Sequence, residues 1–347
     1  MKPIVLKGHS KPIKGLMFNK ENDLLFSAST DKLITLWSSQ YGERIGTYKH
    51  GAAVYSMDID SESKILISGD SIGSAYVWEA SNGELLKKII VGDVTSVQSI
   101  NIDRQNECVY IGYSSRRDKE TSRINVYKIN DLLSARENDK KEINVQPLKQ
   151  LDLPNKDKLT KTKLCDGGNS VIAASKLGQL YKFDVKDGKL LMQKKVHDDE
   201  ITDMNLSLGD ELLITASKDS KAKVLDPDNF EVLTVLSPEN PSRNINACIF
   251  SPFIGEEDES KAIYHAFIAG GQESKDVTTT TQKKGGFETL IYDCKYGVEL
   301  GSFAGHFGPV NSLAITSDGE LLATGSEESS VRVHRIMNEE YKNLIKN

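Results

Sequence analysis

Four of the six histidines in this 347-residue chain stand on a common ruler. His9 is followed after 22 residues by Asp31 and after a further 6 by Trp37. The same steps lead from His197 to Asp219 and Leu225, from His306 to Glu328 and His334, and from His50 to Ile72 and Trp78. A spacing that recurs along a chain marks a repeated structural unit, which constrains a fold more tightly than composition does. Between these anchors run short segments of alternating apolar and polar residues, among them LLFSAS, LITLW, SAYVW, ELLITAS and VRVHRI. That alternation predicts strands with one face buried. Turn chemistry separates them at Asn19 to Asp23, Asn82-Gly83, Asp187-Gly188 and Asp318-Gly319. Four strands in each unit of ~40–45 residues make the blade of a β-propeller.

Aligning the end of each third strand gives Trp37, Trp78, Tyr127, Phe183, Leu225, Tyr292 and His334. The sequence therefore predicts an all-β protein, a seven-bladed β-propeller of the WD-repeat type. Steps of 41, 49, 56, 42, 67 and 42 residues leave three blades enlarged by polar insertions. These are SSRRDKETS with the NDLLSARENDKKEINV region after it, IGEEDES, and QESKDVTTTTQKKGG. Pro3 to Leu6, before Gly8-His9, matches the strand before Gly305-His306, so the N-terminal strand is expected to complete the last blade. Closure of this kind removes the free sheet edges of an open array. Residues 1–337 are then the propeller, and 338–347 a short C-terminal helix or tail.

His9, Ser29 and Asp31 invite comparison with a nucleophilic triad, but the pattern recurs as His197, Ser217, Asp219 and as His306, Ser326, Glu328, whereas catalysis needs one site. In the WD-repeat fold that this chain resembles, such residues form a structural network. The turn carboxylate meets the histidine, the histidine the serine, and the serine the indole, here Trp37. Ile72 in blade two and the missing Trp in blades five and seven imply weaker clamping there. The histidines lack the close second ligand of a metal site, and no phosphate-binding Gly-rich loop precedes a helix, so no cofactor is expected. Cys108, Cys165, Cys248 and Cys294 lie far apart and read as buried free thiols. A net charge of −6 argues against broad nucleic-acid binding. With no secretory signal and no apolar run of about 18 residues, no membrane contact is expected and a cytoplasmic location is.

Seven blades alone indicate an interaction platform, since the fold serves unrelated functions. Specificity lies in segments that break the repeat: AGGQESKDVTTTTQKKGGFETLIYD in blade six, GSFAGHFGPVNSLAITSDG opening blade seven, and KGHSKPIKGLMFNKENDLLFSASTDKLITLW at the start. Together they resemble the i-subunit family of eukaryotic translation initiation factor three. The resemblance implies a non-enzymatic scaffold that binds the C-terminal region of the b subunit and the N-terminal part of the g subunit, meets the small ribosomal subunit through the complex, and supports pre-initiation complex assembly and scanning. It also implies that blades five and six bind partners, with Asp226, Asp210 and Gln272 as candidate contacts. By its residues alone, Asp226 equally suits a turn-capping role like that of Asp184 and Asp293. Another WD-repeat adaptor, in signalling or as a ubiquitin-ligase substrate receptor, is the alternative; an enzyme built on a propeller ranks last for want of an unrepeated polar constellation.

Overall fold

The structure, a computed structural model, describes residues 2–90, 95–105, 107–115, 121–134, 142–143, 145–239, 244–254, 264–271 and 286–336. Seven sheets follow one another around a ring, each built on an antiparallel meander of at least three successive strands. Blade one is Ile13–Phe18, Leu24–Ser29, Leu33–Ser38 and Arg44–Lys49; blade five is Ile201–Leu206, Leu213–Ser217, Ala222–Leu225 and Val232–Leu236. The first strand of every blade lines a central channel. The antiparallel order sets two faces. The upper face carries the loops entering each first strand and the turns between second and third strands; the lower face carries the remaining turns.

The third-strand positions aligned from sequence occupy equivalent places. Trp37 pairs with Leu25, Trp78 with Leu66, Tyr127 with Val109, Phe183 with Val171, Leu225 with Leu213, Tyr292 with Ala266 and His334 with Leu322. All seven side chains are buried, because the alternation turns that face of each strand into the sheet-to-sheet seams. Each hydrophobic cluster joins two neighbouring blades: Phe26, Ile34 and Tyr48 meet Val54, Leu66 and Trp78 at the first seam. Three residues after each second-strand partner stands a small residue: Ala28, Gly69, Gly112, Ala174, Ala216, Ala269 and Gly325. The next blade's first strand approaches there, and a Cβ on Gly69 would lie 2.2 Å from Val97. Reading the chain by its histidines overlooks this second repeat.

Closure follows the expected route. Ile4–Lys7 pairs antiparallel with Ser330–Arg335, as the outer strand of blade seven. Leu6 is buried with Val331, Val333, Ile13 and Trp37, so the seam between the last and first blades is packed like the others. A Cβ on Gly325 would lie 2.6 Å from Ile13 Cγ2.

The insertion after Lys128, expected to be a polar loop, carries structure. Ile129–Ser134 forms a short helix, and Glu142–Ile143 adds a parallel fifth strand to blade two beside Leu85–Ile90. Ile129 and Leu132 of the helix pack with Leu86 and Ile89 of blade two. Two apolar residues three apart supply a buried helical stripe too short to stand out in sequence, and the added strand covers an outer edge that would otherwise be open to pairing. The segment 338–347 lies outside the described residues.

Candidate functional site

On the upper face the histidine ruler becomes a chain of hydrogen bonds, with one correction. His9 Nδ1 lies 2.8 Å from Asp31 Oδ2, and His9 Nε2 lies 2.7 Å from the hydroxyl of Ser27, not of Ser29. The Trp37 indole N–H donates to the same Ser27 oxygen at 2.8 Å. The proton order follows from the partners. A carboxylate only accepts, so Nδ1 carries the hydrogen and Nε2 accepts from Ser27, whose oxygen accepts from the indole. A neutral imidazole satisfies every member.

Ser29 has a different task. Its hydroxyl donates to the carbonyl of Lys11 and accepts from the Asp31 N–H, tying the incoming loop to the turn. The same correction holds elsewhere: His197 meets Thr215 and His306 meets Thr324, while Ser217 and Ser326 donate to the carbonyls of Asp199 and Gly308. Geometry explains the displacement. Ser27 stands one step of the strand alternation from Leu25, the residue opposite Trp37, whereas Ser29 stands two steps away and beyond reach of the indole. A hydroxyl 18 residues after each histidine is the sequence signal that finds it.

Blade two is clamped by other means. His50 Nε2 contacts Ser68 at 2.7 Å and the Trp78 indole donates to Ser68 at 2.9 Å. Where Ile72 offers no acid, Tyr76 donates its hydroxyl to Asp70 at 3.2 Å and accepts the Gly51 N–H at 3.2 Å. Burial pushes the His50 imidazole down to about 4. Blades five and seven keep the histidine pairs without an indole. Burial raises the Asp219 carboxyl, but hydrogen bonds from His197 and from backbone N–H groups outweigh it and hold the group at about 2. The first of the histidine–carboxylate pairs leaves no room for a substrate: the side chains of His9 and Asp31 are 1% and 5% exposed.

The lower face of blade five is different. Asp226 follows the third strand and is half-buried; Oδ1 accepts the Asp228 N–H at 2.7 Å and Oδ2 accepts from the Asn229 side chain at 2.8 Å. It caps its own turn as Asp293 caps the equivalent turn of blade six, where Oδ1 accepts the Lys295 N–H. Asp210, in the turn before the second strand, has a positive φ of 63° and reaches outward to two other blades. Arg104 of blade three donates to Oδ1 at 3.1 Å, and the Gly167 N–H of blade four lies 3.3 Å from Oδ2. Lys182 of blade four, buried, pairs with Asp228 and Asp166 at 3.0 Å each and donates to the Pro227 carbonyl, which fixes the Asp226 turn against its neighbour. Around these turns Leu208, Glu211, Asp228 and Glu231 are exposed. Gln272 and the threonine run Thr278 to Thr281 lie outside the described residues; Gly270, at the end of the second strand of blade six, is at the upper face. The structure therefore joins Asp226 and Asp210 in one blade and does not join the histidine networks to them.

Comparison with known proteins agrees with this architecture along the whole chain. The EIF3I family model matches residues 1–345. Eukaryotic translation initiation factor 3 subunit I of Danio rerio is 31% identical over 336 residues, 96% of each chain. The Homo sapiens protein of that name is 31% identical over 335 residues, again 96% of each, and the Bombyx mori protein 30% identical over 335 residues, 96% of this chain and 95% of its own. A seven-bladed ring with this breadth of similarity is a translation initiation factor propeller, and the chain belongs to the family of eukaryotic translation initiation factor 3 subunit I.

Proposed function

We propose that this protein is a non-enzymatic scaffold subunit of initiation factor three. In this reading it works in the cytoplasm, holds the C-terminal region of the b subunit and the N-terminal part of the g subunit, and so supports pre-initiation complex assembly and scanning. The observation that carries it is the lower face of blade five. Acidic groups there stand beside an apolar residue: Leu208 is 68% exposed, and the side chain of Asp228 is 77% exposed even though it pairs with Lys182. Such a surface suits an amphipathic basic segment, with Leu208 meeting its apolar side and the carboxylates its Arg or Lys residues. Electrostatic contacts of this kind steer association and weaken with salt.

The rigid frame behind this surface supports the same reading. Asp210 and Lys182 tie blades three, four and five together, so a partner would meet a preformed turn with little ordering to offset. The non-enzymatic part rests on the repetition and burial of the histidine–carboxylate pairs. Affinity purification of the tagged protein followed by mass spectrometry is expected to recover initiation factor three subunits, b and g among them. Recovery of ubiquitin-ligase subunits without initiation factor subunits would overturn the proposal in favour of a different adaptor.

A further inference from the structure

The upper mouth of the central channel departs in charge from the rest of the molecule. The chain has a net charge of −6, yet the cavity at this mouth, about 410 Å³, is lined by Lys14, Lys161, Lys176 and Lys218 against Glu200 and Glu327. Glu200 sits 2.9 Å from Lys218 and 3.7 Å from Lys176, and Lys161 reaches Asp203 below the mouth at 3.7 Å. Lys14 pairs with no carboxylate among the described residues. Asp198 and Asp199 precede Glu200 on the same loop but do not line the cavity. The remaining lining is Tyr55 with neutral polar side chains such as Gln98 and Asn246, which offer hydrogen bonds and little apolar surface.

Four lysines against two glutamates leave the lining of this concave site with an excess of positive charge, which favours an anion there. The ring geometry sets what kind. Lys14 is on blade one; Lys161 and Lys176 are on blade four and Lys218 is on blade five, across the channel. A molecule with anionic groups at its two ends suits lysines placed on opposite sides of the channel. The volume is that of a small-molecule pocket. The geometry points to a site for a small oligophosphate, a molecule carrying at least two phosphoryl groups, with Lys14 holding one end and Lys161, Lys176 and Lys218 the other. Glu200 keeps two of these lysines partly neutralised while the site is open. The site is at the opposite end of the channel from the blade-five surface, and it does not depend on that surface binding a partner.

Isothermal titration of the full chain with inorganic tripolyphosphate at low ionic strength tests this. One-site binding is expected, weakened about tenfold or more in Lys161→Met/Lys218→Met, since a charge-assisted hydrogen bond is lost at each position. Glu200→Gln, which frees Lys176 and Lys218, is expected to tighten binding, and Lys20→Met on the lower face to leave it unchanged. Urea midpoints establish that each variant is folded, and the Glu200→Gln arm reports the site even where the double lysine variant is not. Failure of the native protein to bind tripolyphosphate, or binding untouched by the lysine and Glu200 changes, overturns the proposal. An oligoglutamate peptide that binds as tightly with the same lysine dependence also overturns it, by giving the mouth to an acidic protein segment instead.

Discussion

Aspartates close turns on both faces of this propeller, but their oxygens are engaged differently. On the upper face Asp31 and Asp219 each give an oxygen to a buried histidine, and through it to a hydroxyl deep in the blade. On the lower face of blade five, Asp226 bonds only inside its own turn, and Asp210 bonds outward to blades three and four. The upper carboxylates are nodes in closed networks that hold a blade together, with both oxygens of each engaged inside the blade. The lower ones hold a turn in place while exposed acids surround it. A turn carboxylate is therefore assigned a role by what its oxygens touch, since its position in the repeat does not separate scaffolding from a surface that meets other molecules.

The sharpest way to break this distinction is to remove one node. Ser27→Ala strands both His9 Nε2 and the Trp37 indole in a buried site and is expected to cost about 3 kcal/mol in urea unfolding, against about 1 kcal/mol for Ser29→Ala, whose backbone hydrogen bonds are only partly buried. Equal losses would restore Ser29 to the relay and contradict the network described here. Blade two offers the next test, since Tyr76 and Asp70 stand in for the missing acid. Tyr76→Phe is expected to cost about 1–2 kcal/mol, and no loss would mean that this substitute carries nothing.

These expectations also mark what was legible in the chain. Blade number, strand order and closure by Ile4–Lys7 were readable because a period-2 pattern and a repeated spacing report directly on which face of a strand is buried. The identity of the relay hydroxyl was not. Ser27 and Ser29 point to the same face, and only their distance from Trp37 across the strand pair separates them. The substitution of Tyr76 and Asp70 for an acid at Ile72 was hidden for another reason: the replacement arises six residues apart on adjacent strands and follows no repeat. In the lower-face site, Asp226 was found through family resemblance and its capping role through its place in the turn. The cross-blade reach of Asp210 depends on tertiary packing against Arg104 and Gly167, which no local pattern encodes.

Acidification distinguishes the networks gradually. His50 and His334 are both held at about 4, mainly by burial, below the ordinary imidazole value of about 6.5. Protonation therefore favours the unfolded chain, so their contribution is complete above pH of about 6.5 and is lost as pH falls toward 4. Asp219, held at about 2, contributes stability above the ordinary carboxylate value of about 4 and loses it only below that. Asp58, pushed up to about 6 by burial, works the other way between about pH 6 and 4. Two imidazoles outweigh one carboxyl, so the urea midpoint is expected to decline first between about pH 6.5 and 4 and again below about pH 4. A midpoint that stays level down to pH of about 4 would contradict buried neutral imidazoles in blades two and seven.

The smallest expected change in stability belongs to Asp226, the candidate contact whose turn carries the proposed surface. Asp226→Asn keeps Oδ1 as the acceptor for the Asp228 N–H and removes the charge together with the acceptor for the exposed Asn229 side chain, whose amide can turn to water, so a loss of only about 0.5 kcal/mol is expected. The dissociation constant of this variant for a peptide from the C-terminal region of the b subunit, measured beside the native protein at low and high salt, tests the account most directly. Weakening of about tenfold at low salt, narrowing at high salt with an unchanged urea midpoint, is the result predicted for a charged contact on a preformed turn. An unchanged dissociation constant would leave Asp226 as a turn cap alone and would contradict partner binding through this face of blade five.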